Sequence, residues 1–298
     1  MPSPEMQQAL RHLFELNDEA PPNPSLQDMR QGFDALWSSY PPQAGIDPVM
    51  VSAGGVPAAW LTAPDADKAR VILYLHGGGF RVGSIRSHLA ITSRLTGAAK
   101  TQVLALDYRL APEHAFPAQI DDTVAAYSWL LDQGFSARHM AIVGDSAGGG
   151  LVVTAMLRLQ QLELPFPACA VAISPWTDLV GDGGWRDADP SIDPVASSPV
   201  LDEIVADYLA GADPHDGLVS PIFADLAGLP PLLVQVGTQE ILLRDATRLA
   251  DRAREAGVDV TLEIEEGAFH VWHHTAPVVP EATAAIERIG AFILGHLK

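Results

Sequence analysis

The residues best placed to do chemistry are a serine set between glycines, a glycine run behind an apolar strand, and a late histidine. GDSAGG, residues 144–149, fits G-x-S-x-G with Ser146 at its centre. A strand pattern, AIV, comes before it, and a helix pattern, GGGLVVTAMLRLQQ, comes after. A nucleophile elbow requires this context, because its sharp turn lifts the hydroxyl out of the sheet. Gly144 and Gly148 avoid steric conflict at such a turn. The backbone N–H of Ala147 then points towards the same space. The chemistry implied is covalent acyl transfer through a serine. The competing reading is a glycine-rich loop that only opens a helix.

HGGGF, residues 76–80, follows the apolar run VILYL. Glycines just past a strand present backbone N–H groups to an oxyanion with no side chain blocking approach. A flexible turn or a phosphate cradle is the alternative. The P-loop spacing is absent, however, and so is G-x-G-x-x-G at the first strand–helix turn.

A serine nucleophile needs a base. His270 lies in EEGAFH, a loop after the last strand pattern, from which it can reach back over the sheet. His273 and His274 follow too closely for all three to share that role. His76 borders the glycine run, and its ring is read as ordering that loop. His12, His88, His139, His215 and His296 have no supporting context and read as surface or helix-end residues. HVWHH raises zinc as a possibility, since His270 and His274 share a face at helical spacing. HExxH is absent and no third ligand motif presents itself, so no metal is expected. A carboxylate must hold the histidine tautomer. VGTQEILLRD offers Glu240 and Asp245, and either gives the chain order serine, acid, histidine of α/β-hydrolases.

The elements that position these groups alternate. VILYL, VLALDY, AIVGD, CAVAISP, LLVQVG and VTLEIEE read as strands. Helix patterns fall near 84–98, 118–133, 244–256 and 279–296. The alternation implies a mostly parallel sheet with helices on both faces. Before it come two helix patterns, 5–16 and 24–38, and a hairpin over 47–53 and 56–62 turning at Gly54-Gly55. The segment 178–213 breaks the rhythm with a Gly/Asp-rich stretch and a helix pattern at 199–210, and reads as an insertion above the sheet.

Length and composition bound the rest. A chain of 298 residues with 48% hydrophobic content can build one sizeable core. A net charge of -19 argues against unspecific attraction to nucleic acid or an anionic membrane. The single cysteine, Cys169, excludes an internal disulfide and reads as a buried strand thiol. No apolar run reaches the ~18 residues of a membrane span. The N-terminal segment has no basic start followed by a long apolar stretch. A soluble, cytoplasmic protein is the expectation.

HGGGF at 76–80, DYRLAPEHAFPAQIDD at 107–122, GDSAGGG at 144–150 and SPWTDL at 174–179 resemble, in order, the markers of the bacterial hormone-sensitive-lipase-like esterases. The resemblance runs from about residue 45 to the C-terminus. It implies an α/β-hydrolase fold with an eight-stranded sheet and a helical cap. By similarity, residues 1–45 and an insertion near 180–212 form the cap, and 46–298 the catalytic domain. Oxyanion donors fall on Gly78, Gly79 and Ala147, the base on His270 and the acid on Glu240, where most members carry aspartate. The register agrees: Glu240 stands three residues past Gly237, directly behind a strand, whereas Asp245 falls in the first turns of a helix. Arg109 and Glu113 are expected to pair near the sheet edge. The resemblance further implies hydrolysis of small-molecule esters with short acyl chains, no cofactor, and frequent dimers. Lactonase, amidase or peptidase activity on the same fold is the alternative, as is a non-catalytic ligand-binding relative.

Overall fold

The computed structural model describes residues 1–19, 23–182, 184–189, 191–196 and 198–297. Eight strands form one sheet: β1 (Val49–Ala53), β2 (Val56–Leu61), β3 (Asp67–Leu75), β4 (Thr101–Leu106), β5 (Met140–Asp145), β6 (Cys169–Ile173), β7 (Leu232–Gln239) and β8 (Val260–Phe269). Their order is β1-β2-β4-β3-β5-β6-β7-β8. The β1–β2 and β2–β4 pairs are antiparallel and the other five parallel.

The central strands are apolar on both faces because helices cover both. In β3, Val71, Leu73 and Leu75 enter one core cluster, while Ile72 and Tyr74 enter the other. That split is the two-residue period of a strand. The first cluster packs under α4 (Ala118–Asp132), α5 (Ala147–Gln161) and α7 (Leu243–Glu255). The second packs under α3 (Leu89–Ala98) and α8 (Pro280–His296). Full burial of each such aliphatic side chain contributes about 1.5–3 kcal/mol.

Three further helices, α1 (Pro4–Glu19), α2 (Leu26–Ser38) and α6 (Ser198–Leu209), contribute lining residues to the cavity of the site described below. α2 begins in a capping box, with Ser25 and Asp28 each bonding the other's backbone N–H. α1 is more than a cover. Its Met6 and Leu13 belong to the second core cluster, and Ser3 bonds Glu281 at the start of α8.

Two sequence expectations need correction. The helix expected from 84 begins at Leu89. Residues 84–88 instead form a turn in which Ser84 and Ser87 bond each other's backbone and side chains, an arrangement that competes with helix. Arg109 and Glu113 do not pair. Arg109 makes a forked bond to Asp122 of α4, at 2.7 and 2.9 Å, and Glu113 is met by Arg30 of α2 at 2.7 Å. Each charge finds a partner on a helix packed beside the loop. Cys169 is buried in β6, and burial pushes its thiol pKa up to about 12.

Candidate active site

Ser146 occupies the turn from β5 to α5 with φ 53° and ψ -122°, a backbone region that side chains disfavour. Its surroundings over-determine that conformation. Its N–H donates to Ile173 O at 2.8 Å, and its carbonyl accepts from Trp176 N at 3.0 Å and Gly150 N at 3.1 Å. A Cβ at Gly148 would lie 2.1 Å from Leu75 O, so α5 can open this close to β3 only with glycine there.

His270 follows directly on β8. Its Nε2 lies 2.8 Å from Ser146 Oγ, and its Nδ1 lies 2.9 Å from Glu240 Oε2. With Nδ1–H donating to the carboxylate, Nε2 is left to accept the serine proton. Burial alone pulls the imidazole pKa down. The hydrogen bond and charge of Glu240, with the charges of Asp193 and Asp145, outweigh burial and leave it above its ordinary value. Glu240 follows immediately on β7, where the register with β8 shifts between Gly237 and Gln239. Its Oε1 accepts from Gly237 N at 2.5 Å and Ser174 Oγ at 3.0 Å. The Ser174 hydroxyl also accepts Val271 N–H at 3.2 Å, so it ties the acid to the segment carrying the histidine.

Asp245 is engaged elsewhere. In the first turn of α7 it is buried, and its Oδ2 accepts Thr177 and Asp178 N–H at 2.9 Å each. Burial raises its pKa to about 7.

The glycine loop carries Gly78 at φ +109° and Gly79 at φ +61°. Arg81 and Val82 N–H close a turn on Gly78 O at 3.1 and 2.9 Å. The His76 ring stacks on Tyr108 with centroids 4.2 Å apart, and its Nδ1 lies 2.7 Å from Gly77 O. Burial depresses its pKa to about 3, which suits an ordering role. Among the described residues, no hydrogen bond is donated by the N–H of Gly78, Gly79 or Ala147. Gly78, Gly79, Ser146 and His270 line one cavity of about 730 Å³, roofed by apolar residues such as Phe33 of α2 and Leu201 and Ile204 of α6.

The three late histidines separate. His273 bonds Gln235 at 2.7 Å, and His274 stacks on Trp37 with centroids 4.1 Å apart. His274 does come near a different pair: His88, Asp145 and His274 each place a ligand atom within 4.8 Å of the others. Two imidazoles and a carboxylate suit a borderline cation. Here Asp145 and His88 are otherwise occupied. Asp145 accepts Tyr74 Oη at 2.7 Å and Gly77 N at 3.0 Å, and pairs with His88 Nε2 at 3.3 Å. This buried group straps the elbow to the glycine loop, and His88 is no surface residue. Sequence reasoning missed the roles of His88 and Ser174. Ser174 bridges two distant segments and left no local signal; His88 lay inside the helix expected over 84–98.

A family model described as alpha/beta hydrolase fold matches residues 72–274. The chain is 42% identical over 294 residues to an acetyl-hydrolase of Streptomyces hygroscopicus, covering 98% of this chain and 97% of that one. It is 34% identical over 265 residues to an esterase of Acinetobacter venetianus, covering 89% and 87%. Among solved structures, an esterase from the bacterial hormone-sensitive lipase family superposes with TM-score 0.96 at 44% identity over 100% of both chains. EstE5 soaked with p-nitrophenyl butyrate superposes with TM-score 0.94 at 41% identity over 99% of each.

Proposed function

The chain belongs to the bacterial hormone-sensitive-lipase family of α/β-hydrolase-fold esterases, and from that premise we propose that Ser146, His270 and Glu240 are its catalytic triad, acting on carboxylic esters with short acyl chains. The observation that carries the assignment is the unbroken relay from Ser146 Oγ to His270 Nε2, at 2.8 Å, and from Nδ1 to Glu240, at 2.9 Å.

His270 takes the Ser146 proton as the oxygen attacks the ester carbonyl. The N–H groups of Gly78, Gly79 and Ala147 stabilise the oxyanion, the partial charges they carry being fixed before the reaction. Glu240 steadies the imidazolium, which gives its proton to the departing alcohol. Water repeats both steps on the acyl-enzyme and frees the acid. The largely apolar lining of the cavity lowers the local polarity around the ester and strengthens each of these interactions. The relative named an acetyl-hydrolase supports an acyl group as small as acetyl. Residues 1–45 and 180–212 are assigned to the cap, and 46–298 otherwise to the catalytic domain. A homodimer and a cytoplasmic location are proposed with this reading, the latter in keeping with a lone buried thiol. Light scattering and cell fractionation check them. No helix among the described residues is long and apolar enough to cross a membrane.

The test is Ser146→Ala assayed on nitrophenyl acetate, butyrate and longer esters, with circular dichroism in parallel. Wild type should turn over the short esters fastest. The folded variant should retain only a residue of activity, orders of magnitude below wild type. Near-wild-type turnover in that variant overturns the triad. An anilide cleaved faster than its matching ester moves the reading to an amidase.

A further inference from the structure

Glu240 leaves β7 and reaches α7 through residues in neither strand nor helix, so its backbone depends on local partners. One of them comes from the cap. Asp193 Oδ2 accepts the N–H of Ile241, the residue after Glu240, at 3.1 Å. Its other oxygen accepts Val195 N at 2.8 Å and Ala196 N at 3.0 Å, which closes an Asx-type turn and fixes the carboxyl before it meets the loop. Asp193 is only 3% exposed, and among the ion pairs of the described residues no lysine or arginine meets it. The basic group it faces is the His270 imidazole. The next residue, Pro194, accepts a hydrogen bond from Asn17 of α1. The N-terminal helix, the insertion and the acid loop are thus joined in one chain of bonds.

We propose that Asp193 is a positioning residue through which the docked cap insertion holds the triad acid. Its carboxylate fixes the Ile241 backbone, which aims Glu240 at His270, and sets a second negative charge beside the imidazolium that forms during attack. The triad is then fully assembled only when the cap is seated. This rests on the triad assignment above, and the experiment separates the two.

Asp193→Asn keeps size but puts an amide N–H against either Ile241 or the turn. Asp193→Ser keeps a short acceptor for the turn and cannot reach Ile241, so it serves where the first variant folds poorly. In either folded variant kcat should fall about tenfold to a hundredfold, as small misplacements of reacting groups do. KM should change less than about threefold, because an interaction made in the transition state is lost rather than ground-state binding. The charged and titratable groups facing His270 are Glu240 behind β7, Asp193 from the cap, Asp145 at the elbow and His274. Losing one of the negative charges should move the acid limb of kcat/KM to lower pH, which a purely structural loss would not do. In a Glu240→Gln background the Asp193 replacement should cost less than about threefold, since coupled residues are not additive. Unchanged kcat in a folded variant, or the full loss repeated in the Glu240→Gln background, overturns the proposal. If Glu240→Gln is itself harmless, the triad assignment falls instead.

Discussion

At the residue scale, the two candidate acids sit five positions apart and face different neighbours. Glu240 bonds the imidazole, while Asp245 bonds the backbone of Thr177 and Asp178. Glu240→Gln should therefore lower kcat by at least ~10², the loss of the matching charge in a serine protease being about 10⁴. Asp245→Asn should change kcat by less than about tenfold. The Asp245 carboxyl has its folded pKa raised to about 7, so the fold favours the neutral form. Stability then falls as pH rises from the unfolded value through about 7. Asparagine cannot ionise, so the variant should melt above wild type at pH 8, with the gap closing towards pH 4; a variant that melts lower at pH 8 contradicts this. His270 has a raised pKa and must be neutral to take a proton. The acid limb of kcat/KM should have its midpoint above ~6.5, the ordinary histidine value, and the limb should move down in Glu240→Gln. Ser146 and His270 were legible in sequence because each stands beside a strand end. Ser174 was not, because a hydroxyl that bridges two distant segments leaves no local pattern.

At the element scale, the N-terminal helices looked in sequence like a cover alone. Periodicity shows that a helix has an apolar face and not what that face meets. α1 in fact turns Met6 and Leu13 into the core, and Leu13 also lines the cavity. Trp37 of α2 is buried and stacks on His274. Removal of residues 1–40 should therefore cost both stability and activity. Loss of each large buried side chain costs about 2–5 kcal/mol. We expect a melting temperature lower by ten degrees or more, about 2–4 °C per kcal/mol in a chain this large, with native circular dichroism at low temperature and little ester hydrolysis. Native-like melting of the truncated chain would mean that these helices cap without supporting. The late start of α3 has the same lesson at smaller scale: Ser84 and Ser87 redirect backbone bonds that the apolar pattern assigned to a helix.

At the scale of the whole molecule, the sheet was the most legible feature, since covered parallel strands read as short continuous apolar runs. Strand order was not, because it depends on contacts between distant segments. Charge acts at this scale too. A net charge of -19 should draw in cationic esters and repel anionic ones. Raising salt should lower kcat/KM for a choline ester, raise it for an anionic ester and leave a neutral one unchanged; equal responses from all three would exclude steering. The sheet order also sets a timetable. The elbow, the glycine loop and the middle strands come from the first two-thirds of the chain, whereas His270 follows β8, the edge strand added last. Synthesis delivers the elbow before β8, but a domain folds as a unit. A fragment that ends before β8 carries the serine without the proposed base. On the proposed triad it should hydrolyse esters orders of magnitude more slowly than the chain that includes β8 and His270.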